Sequence, residues 1–229
     1  MFRIFVNFKT YPQGTGGKAV ELAKVCQEVG RESGLPVIPI VQVVDLSLVK
    51  KATKLSVWVE HIDPFPQGRF TGGVNLEAVI EAGASGCLLN HSEHQIPPGT
   101  IKQVISRIEN CKLNLPVGKA GIKNFSVMVC CKTLGQMERL IKLKPDFIGY
   151  EIAELIGGEV SITDTNPKTI EHGVEICGKV PLIVGAGINK AEGLAKAKEL
   201  GAKGVLISSA VVLAENPKEK LTELTKLVR

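Results

Sequence analysis

Eight times along this chain a short apolar run gives way to a longer segment of helical period. The runs are Arg3–Asn7, Val37–Val41, Ser56–Glu60, Gly86–Asn90, Ser126–Cys130, Asp146–Tyr150, Leu182–Gly185 and Gly204–Ser208. Strand-then-helix alternation builds a parallel sheet, because a parallel neighbour needs a crossover and the intervening helix supplies it. The helical segments carry their own punctuation. Asn216-Pro217-Lys218-Glu219 precedes Leu221, Leu224, Leu227 and Val228, which reads as an N-cap, a proline at the first helical position and a capping-box acid. Asn166-Pro167 and Asn189-Lys190-Ala191-Glu192 repeat that grammar, and Gly34, Gly83 and Gly201 fall where left-handed helix caps are expected.

Eight parallel units either close into a barrel or spread into an open doubly wound sheet. In an open sheet, ligand residues gather at one switch point. Here polar candidates follow strands one, four, six, seven and eight, and those ends converge only in a ring, so the expected fold is a (β/α)8 barrel in one domain over residues 1–229. Hydrophobic residues at 44% and charged residues at 22% allow an extensive core and argue against disorder.

The net charge of +5 is spread along the chain. With no basic block or aromatic partners it does not indicate nucleic acid; it suits steering of a small anion, although solubility explains it equally well. No apolar stretch reaches the roughly 20 residues of a membrane span. The six cysteines include no C-x-x-C pair and mostly lie in apolar patterns, as free thiols do in a reducing cytoplasm, and the chain opens directly on a strand-like run with no signal peptide. Cys130 and Cys131 are adjacent on one strand and therefore point to opposite faces, which argues against a shared metal.

The reactive candidates sit at strand ends. Glu151 follows Phe147-Ile148-Gly149-Tyr150 and precedes a glycine-bearing loop, the setting of a general base. Asn7 and Lys9 flank Phe8 and share a face at the rim, where a lysine would meet an anion. His91 follows Leu88-Leu89-Asn90 where a helix is expected to begin, and a helix N-terminus disfavours imidazolium, leaving a neutral hydrogen-bond donor. His91 and His94 are spaced i,i+3, but no matching ligand set completes a metal site. Gly185-Ala186-Gly187 runs into the helix expected at Asn189, and Ser208-Ser209 lies at the adjoining mouth; loops after strands seven and eight are the usual phosphate site of such barrels.

Val6-Asn7-Phe8-Lys9-Thr10-Tyr11, His61-Ile62-Asp63-Pro64 with Phe70-Thr71-Gly72, Leu89-Asn90-His91-Ser92-Glu93, Glu151 with Glu154-Leu155-Ile156-Gly157, and Gly185-Ala186-Gly187-Ile188 together resemble the triosephosphate isomerase family, in particular its short archaeal-type branch, over almost the whole chain. The resemblance implies a cofactor-free aldose-ketose isomerase acting on a small phosphorylated three-carbon substrate. It makes Glu151 the proton shuttle, neutral His91 the electrophile, Lys9 and Asn7 the enediolate stabilisers and Glu93 a supporting acid. Gly157, Gly187, Ser208 and Ser209 match phosphate-holding positions and Ile156 a lid residue. Gly68-Arg69-Phe70-Thr71-Gly72 would form a projecting loop at a subunit interface, with Phe65 and Phe70 exposed on it, so a homodimer or tetramer is expected.

The chain departs from the family at the lid, where Ile152-Ala153 and Gly157-Gly158-Glu159 replace a proline and a Gly-Thr-Gly hinge; looser hinges and an added charge imply a slower isomerase. It departs again at Glu60-His61, where an amide or another polar residue is common, in a loop that concerns assembly more than chemistry. Residues 114–124 are longer than a helix-to-strand link requires and read as a surface loop or small hairpin. Two other readings stay open: a different sugar-phosphate barrel enzyme, or a phosphate-binding barrel with an impaired lid.

Overall fold

The structure, a computed structural model, describes residues 1–114, 125–152 and 162–228. Eight parallel strands close into a barrel in sequence order: β1 Arg3–Asn7, β2 Val37–Val41, β3 Trp58–Val59, β4 Gly86–Leu89, β5 Ser126–Cys131, β6 Phe147–Tyr150, β7 Leu182–Gly185 and β8 Gly204–Ile207. Closure is made by β1 against β8, with Ile4 beside Val205 and Val6 beside Ile207. The helices among the described residues are α1 Gly17–Ser33, α2 Leu46–Ala52, α3 Leu76–Glu81, α4 Pro98–Asn114, α5 Leu134–Leu140, α6 Ile162–Thr165, α7 Pro167–Cys177, α8 Ala191–Glu199, α9 Ser209–Val212 and α10 Pro217–Thr225.

The strands are apolar on both faces because they separate two cores. Phe5, Ile38, Ile40, Trp58, Leu88, Met128, Cys130, Phe147, Ile183 and Leu206 fill the barrel. Their alternating neighbours, such as Ile4, Val6, Val59, Leu89 and Cys131, pack outward against the helices. Cys130 and Cys131 thus face opposite ways, as strand alternation requires. Phe5, Trp58 and Phe147 meet edge to face with centroids 5.0 to 5.8 Å apart, and the Arg3 guanidinium lies 5.3 Å from the Phe147 ring. Gly86 makes room for this packing, since a Cβ there would stand 2.3 Å from the Trp58 ring.

Several expected boundaries shift. The third strand has only two residues rather than the expected five, and β5 runs one residue further, to Cys131. Asn216 caps α10 by accepting from Glu219 N, and Gly34, Gly83 and Gly201 have φ of 72, 97 and 93°. The N-cap of α8 is Lys190, not Asn189, and Asn166 makes no capping bond to α7. After β8 the short helix α9, unanticipated from the sequence, begins at Ser209. Of the expected loop 114–124, residue 114 ends α4 and the remainder lies outside the described residues.

Candidate active site

Alternation through the barrel core determines which residues reach its mouth. Two positions beyond Phe5 comes Asn7; beyond Trp58, Glu60; beyond Leu88, Asn90; beyond Leu206, Ser208. Glu151 stands four beyond Phe147. Each is a polar residue set on an apolar layer by the period of two, at the C-terminal ends of the strands where barrel enzymes place their chemistry.

These ends enclose a pocket of about 240 Å³, lined by Asn7, Lys9, His91 and Glu151 on one side and by Gly187, Ser208 and Ser209 on the other. Seven residues predicted from the sequence therefore share one cavity. Glu93 stands beside it through its pairing with Lys9. Ile156 and Gly157, like Ala153, Gly158 and Glu159, lie outside the described residues.

Glu151 is 5% exposed, and its backbone amide continues the ladder to Cys131 O at 3.0 Å. Its Oε2 lies 3.1 Å from His91 Nε2 but has no well-aligned hydrogen bond, so a buried carboxylate oxygen remains with unused acceptor capacity. His91 Nδ1 accepts from the Glu93 backbone amide at 3.3 Å, which puts the neutral ring's proton on Nε2, facing Glu151 and the pocket.

The expected helix at His91 is not there. Residues 92–94 form a turn, with His94 N donating to His91 O at 2.8 Å, and α4 begins only at Pro98. A single turn amide, not a helix terminus, therefore sets the tautomer. Burial pulls the His91 pKa down, but the contact with Glu151 and the charges of Glu151 and Glu93 together outweigh burial and the Lys9 charge, so the net shift is upward. His94 lies against His61 with ring centroids 4.5 Å apart and the planes tilted by 39°.

Lys9 follows β1 in a left-handed conformation, φ 49°, strained for a side chain of this size. Asn7 Oδ1 accepts from the Lys9 amide at 3.1 Å and helps hold that turn. The Lys9 ammonium meets Glu93 Oε1 at 2.6 Å, with the lysine side chain 13% and the glutamate 54% exposed. Facing them, Ala186 and Gly187 have φ of 75 and 69°, turning the chain after β7. Ser208 Oγ is buried without a partner at the same mouth. An unsatisfied hydroxyl, a glycine amide and a nearby ammonium suit an anion.

Two residues escaped the sequence reading. Asn90, φ 58°, donates to Cys130 O at 2.8 Å and accepts from Ile96 N at 3.0 Å, fastening the His91 turn to β5. A polar residue between Leu89 and His91 that tolerates the left-handed region was the available signal. Glu60 lies in a segment whose sequence suggests assembly, but parity with Trp58 turns it inward beneath the cavity's edge, near His91, Glu93 and Lys9.

A closed parallel barrel whose mouth joins a buried carboxylate, an imidazole and a lysine to the loops after β7 and β8 has the architecture of an acid–base enzyme of the (β/α)8 class. The sequence matches the triosephosphate isomerase family across residues 2–228. Similar proteins include the triosephosphate isomerases of Methanothermus fervidus, 37% identical with 96% of each chain covered, and of Methanocaldococcus jannaschii, 34% identical with 98% of this chain and 99% of that protein covered. That of Methanosarcina mazei is 35% identical, with 98% of each covered. The chain belongs to the triosephosphate isomerase family.

Proposed function

We propose that this chain interconverts dihydroxyacetone phosphate and D-glyceraldehyde 3-phosphate, the isomerisation shared by glycolysis and gluconeogenesis, with its own side chains as the reacting groups. The observation that carries the assignment of roles is the buried, unsatisfied Oε2 of Glu151 beside His91 Nε2 in a cavity shared with Lys9. Glu151 takes a proton from one carbon of the bound triose and returns it to the neighbouring carbon. The His91 Nε2–H donates to the carbonyl oxygen, and the Lys9 ammonium faces the negative charge that grows on the enediolate. Asn7 holds the Lys9 backbone. Glu93 anchors the lysine and, through its amide, sets the His91 tautomer. Gly187, Ser208 and Ser209 hold the phosphate, with Ile156 and Gly157 completing the site on the strength of the resemblance.

A coupled assay of isomerisation with Glu151→Gln as control tests this reading. The parent should turn over dihydroxyacetone phosphate and the variant should lose at least about 10³-fold in kcat, in the range of removing a positioned general base, while still binding a phosphorylated enediolate mimic. Turnover confined to another phosphorylated sugar would reject the assignment.

We also infer self-association as a dimer or tetramer. Phe65 and Phe70 remain 38% and 43% exposed and stack on each other at 4.7 Å, an apolar knob on the loop after β3. Sedimentation of the parent and of Phe70→Lys tests it: a monomeric parent would reject the inference. Six free thiols, five of them buried, suit a reducing compartment such as the cytoplasm. Among the described residues no helix is long and apolar enough to cross a membrane.

A further inference from the structure

One titratable side chain at the mouth has no part in the chemistry proposed above. Glu60 follows β3, its amide donating to Val41 O at 3.2 Å, and stands two residues beyond Trp58, so its carboxyl is directed inward. Its Oε1 is buried with no hydrogen-bond partner. Ionised, the carboxyl would hold this oxygen out of water without a donor: the Lys9 backbone amide is the donor within its reach, and the Lys9 ammonium is engaged by Glu93 at 2.6 Å.

Resting on the isomerase reading of this site, we propose that Glu60 is a positioning residue for Lys9, serving as a neutral carboxylic acid, and that its ionisation draws the lysine charge away from the substrate. The charged groups facing it are Lys9 from the end of β1 and His91 and Glu93 from the turn after β4. On the β2 side Asp45 accepts from Gly16 N at 3.0 Å, and the adjacent His61 pairs with Asp63 at 3.2 Å.

Burial is the main cause that pushes the Glu60 carboxyl up to about 7, assisted by the Glu93 charge and opposed by His91, by the Lys9 amide and by the Lys9 charge. Neutral Glu60 leaves Glu93 alone to balance Lys9. Ionised Glu60 adds a second carboxylate that competes with a phosphorylated substrate for the same ammonium and repels the substrate's own charge.

The test is the ratio of kcat/KM for Glu60→Gln to that of the parent, from about pH 6 to about pH 8. A ratio cancels the ionisation of the substrate phosphate and, to first order, of His91. For a group titrating at about 7, the neutral fraction falls about tenfold over this range, so the ratio should rise about tenfold, chiefly through KM. A ratio constant within about twofold on an active parent overturns the role, since a merely structural contribution would shift it equally at every pH. A parent inactive at every pH overturns the isomerase reading and this role with it. Should Glu60→Gln fail to fold, infrared difference titration of the unliganded parent decides: a protonated-carboxyl band present near pH 6 and lost above neutral supports the proposal, and no such band overturns it.

Discussion

Gly185→Ala is the sharpest structural test of Glu151 as the base. Gly185 ends β7 directly beside the carboxylate, and its backbone is not in the left-handed region, so alanine fits the chain conformation. What it does not fit is the space. Its Cβ would stand 2.6 Å from Glu151 Oε1, 2.8 Å from Cγ and 3.0 Å from Cδ. Ordinary contact begins near 3.4 Å, so the carboxylate must retreat by about 0.4 to 0.8 Å. The Glu151 amide is bonded to Cys131 O at 3.0 Å, and the side chain therefore takes up the movement. A misplacement of about 1 Å costs on the order of 10²-fold, so kcat should fall roughly 30- to 100-fold, about 2 to 3 kcal/mol of transition-state stabilisation. The phosphate side of the pocket is untouched, and KM should stay within about threefold, as expected when an interaction made only in the transition state is weakened. Gly135→Ala on α5, where the added Cβ meets nothing closer than 3.8 Å, is the control. A Gly185→Ala enzyme with kcat within about threefold of the parent would refute the assignment, because the base could not then depend on its observed position.

Three further outcomes are expected. Lys9→Met should lower kcat/KM by about 10²- to 10³-fold, in the range of deleting one electrostatic stabiliser, and the loss should shrink when a primary ammonium ion is added to the assay. Asn90→Gly should destabilise by about 2 kcal/mol through loss of one buried and one part-buried hydrogen bond, and Asn90→Ala by about 1 kcal/mol more because alanine resists φ 58°, both read by chemical denaturation. Thermal stability should also report Glu60. An acid whose folded pKa rises from 4.5 to about 7 binds more protons folded than unfolded, so stability is highest below about pH 4.5 and is lost as pH climbs through about 7. That amounts to at most about 3 kcal/mol, so the Tm of Glu60→Gln minus that of the parent should grow by up to roughly 5–10 °C from about pH 5 to about pH 8; a difference independent of pH would contradict the burial argument.

The barrel was legible because its signals are local. A strand buried on both faces must be apolar along its length, and a residue capping a helix in a left-handed turn is best as glycine, so β1, β2 and β7 and the caps at Gly34, Gly83 and Gly201 appear where their own residues put them. Lys9, His91 and Glu151 were legible for a related reason: each is a reactive residue at the end of an apolar run. Where a local rule had a competitor it failed. Asn189 resembles a cap but lines the pocket, and the segment after His91 makes a turn instead of a helix.

Glu60 shows the limit of a linear reading. Its parity with Trp58 turns it inward, but nothing in its own neighbours reveals the charges that surround it there, which belong to Lys9 at the end of β1 and to His91 and Glu93 after β4. Local propensity and periodicity determined which segments became strands and which helices. Barrel closure alone decided which strand ends became neighbours, and the charge state of a buried group depends on those neighbours far more than on its own sequence context.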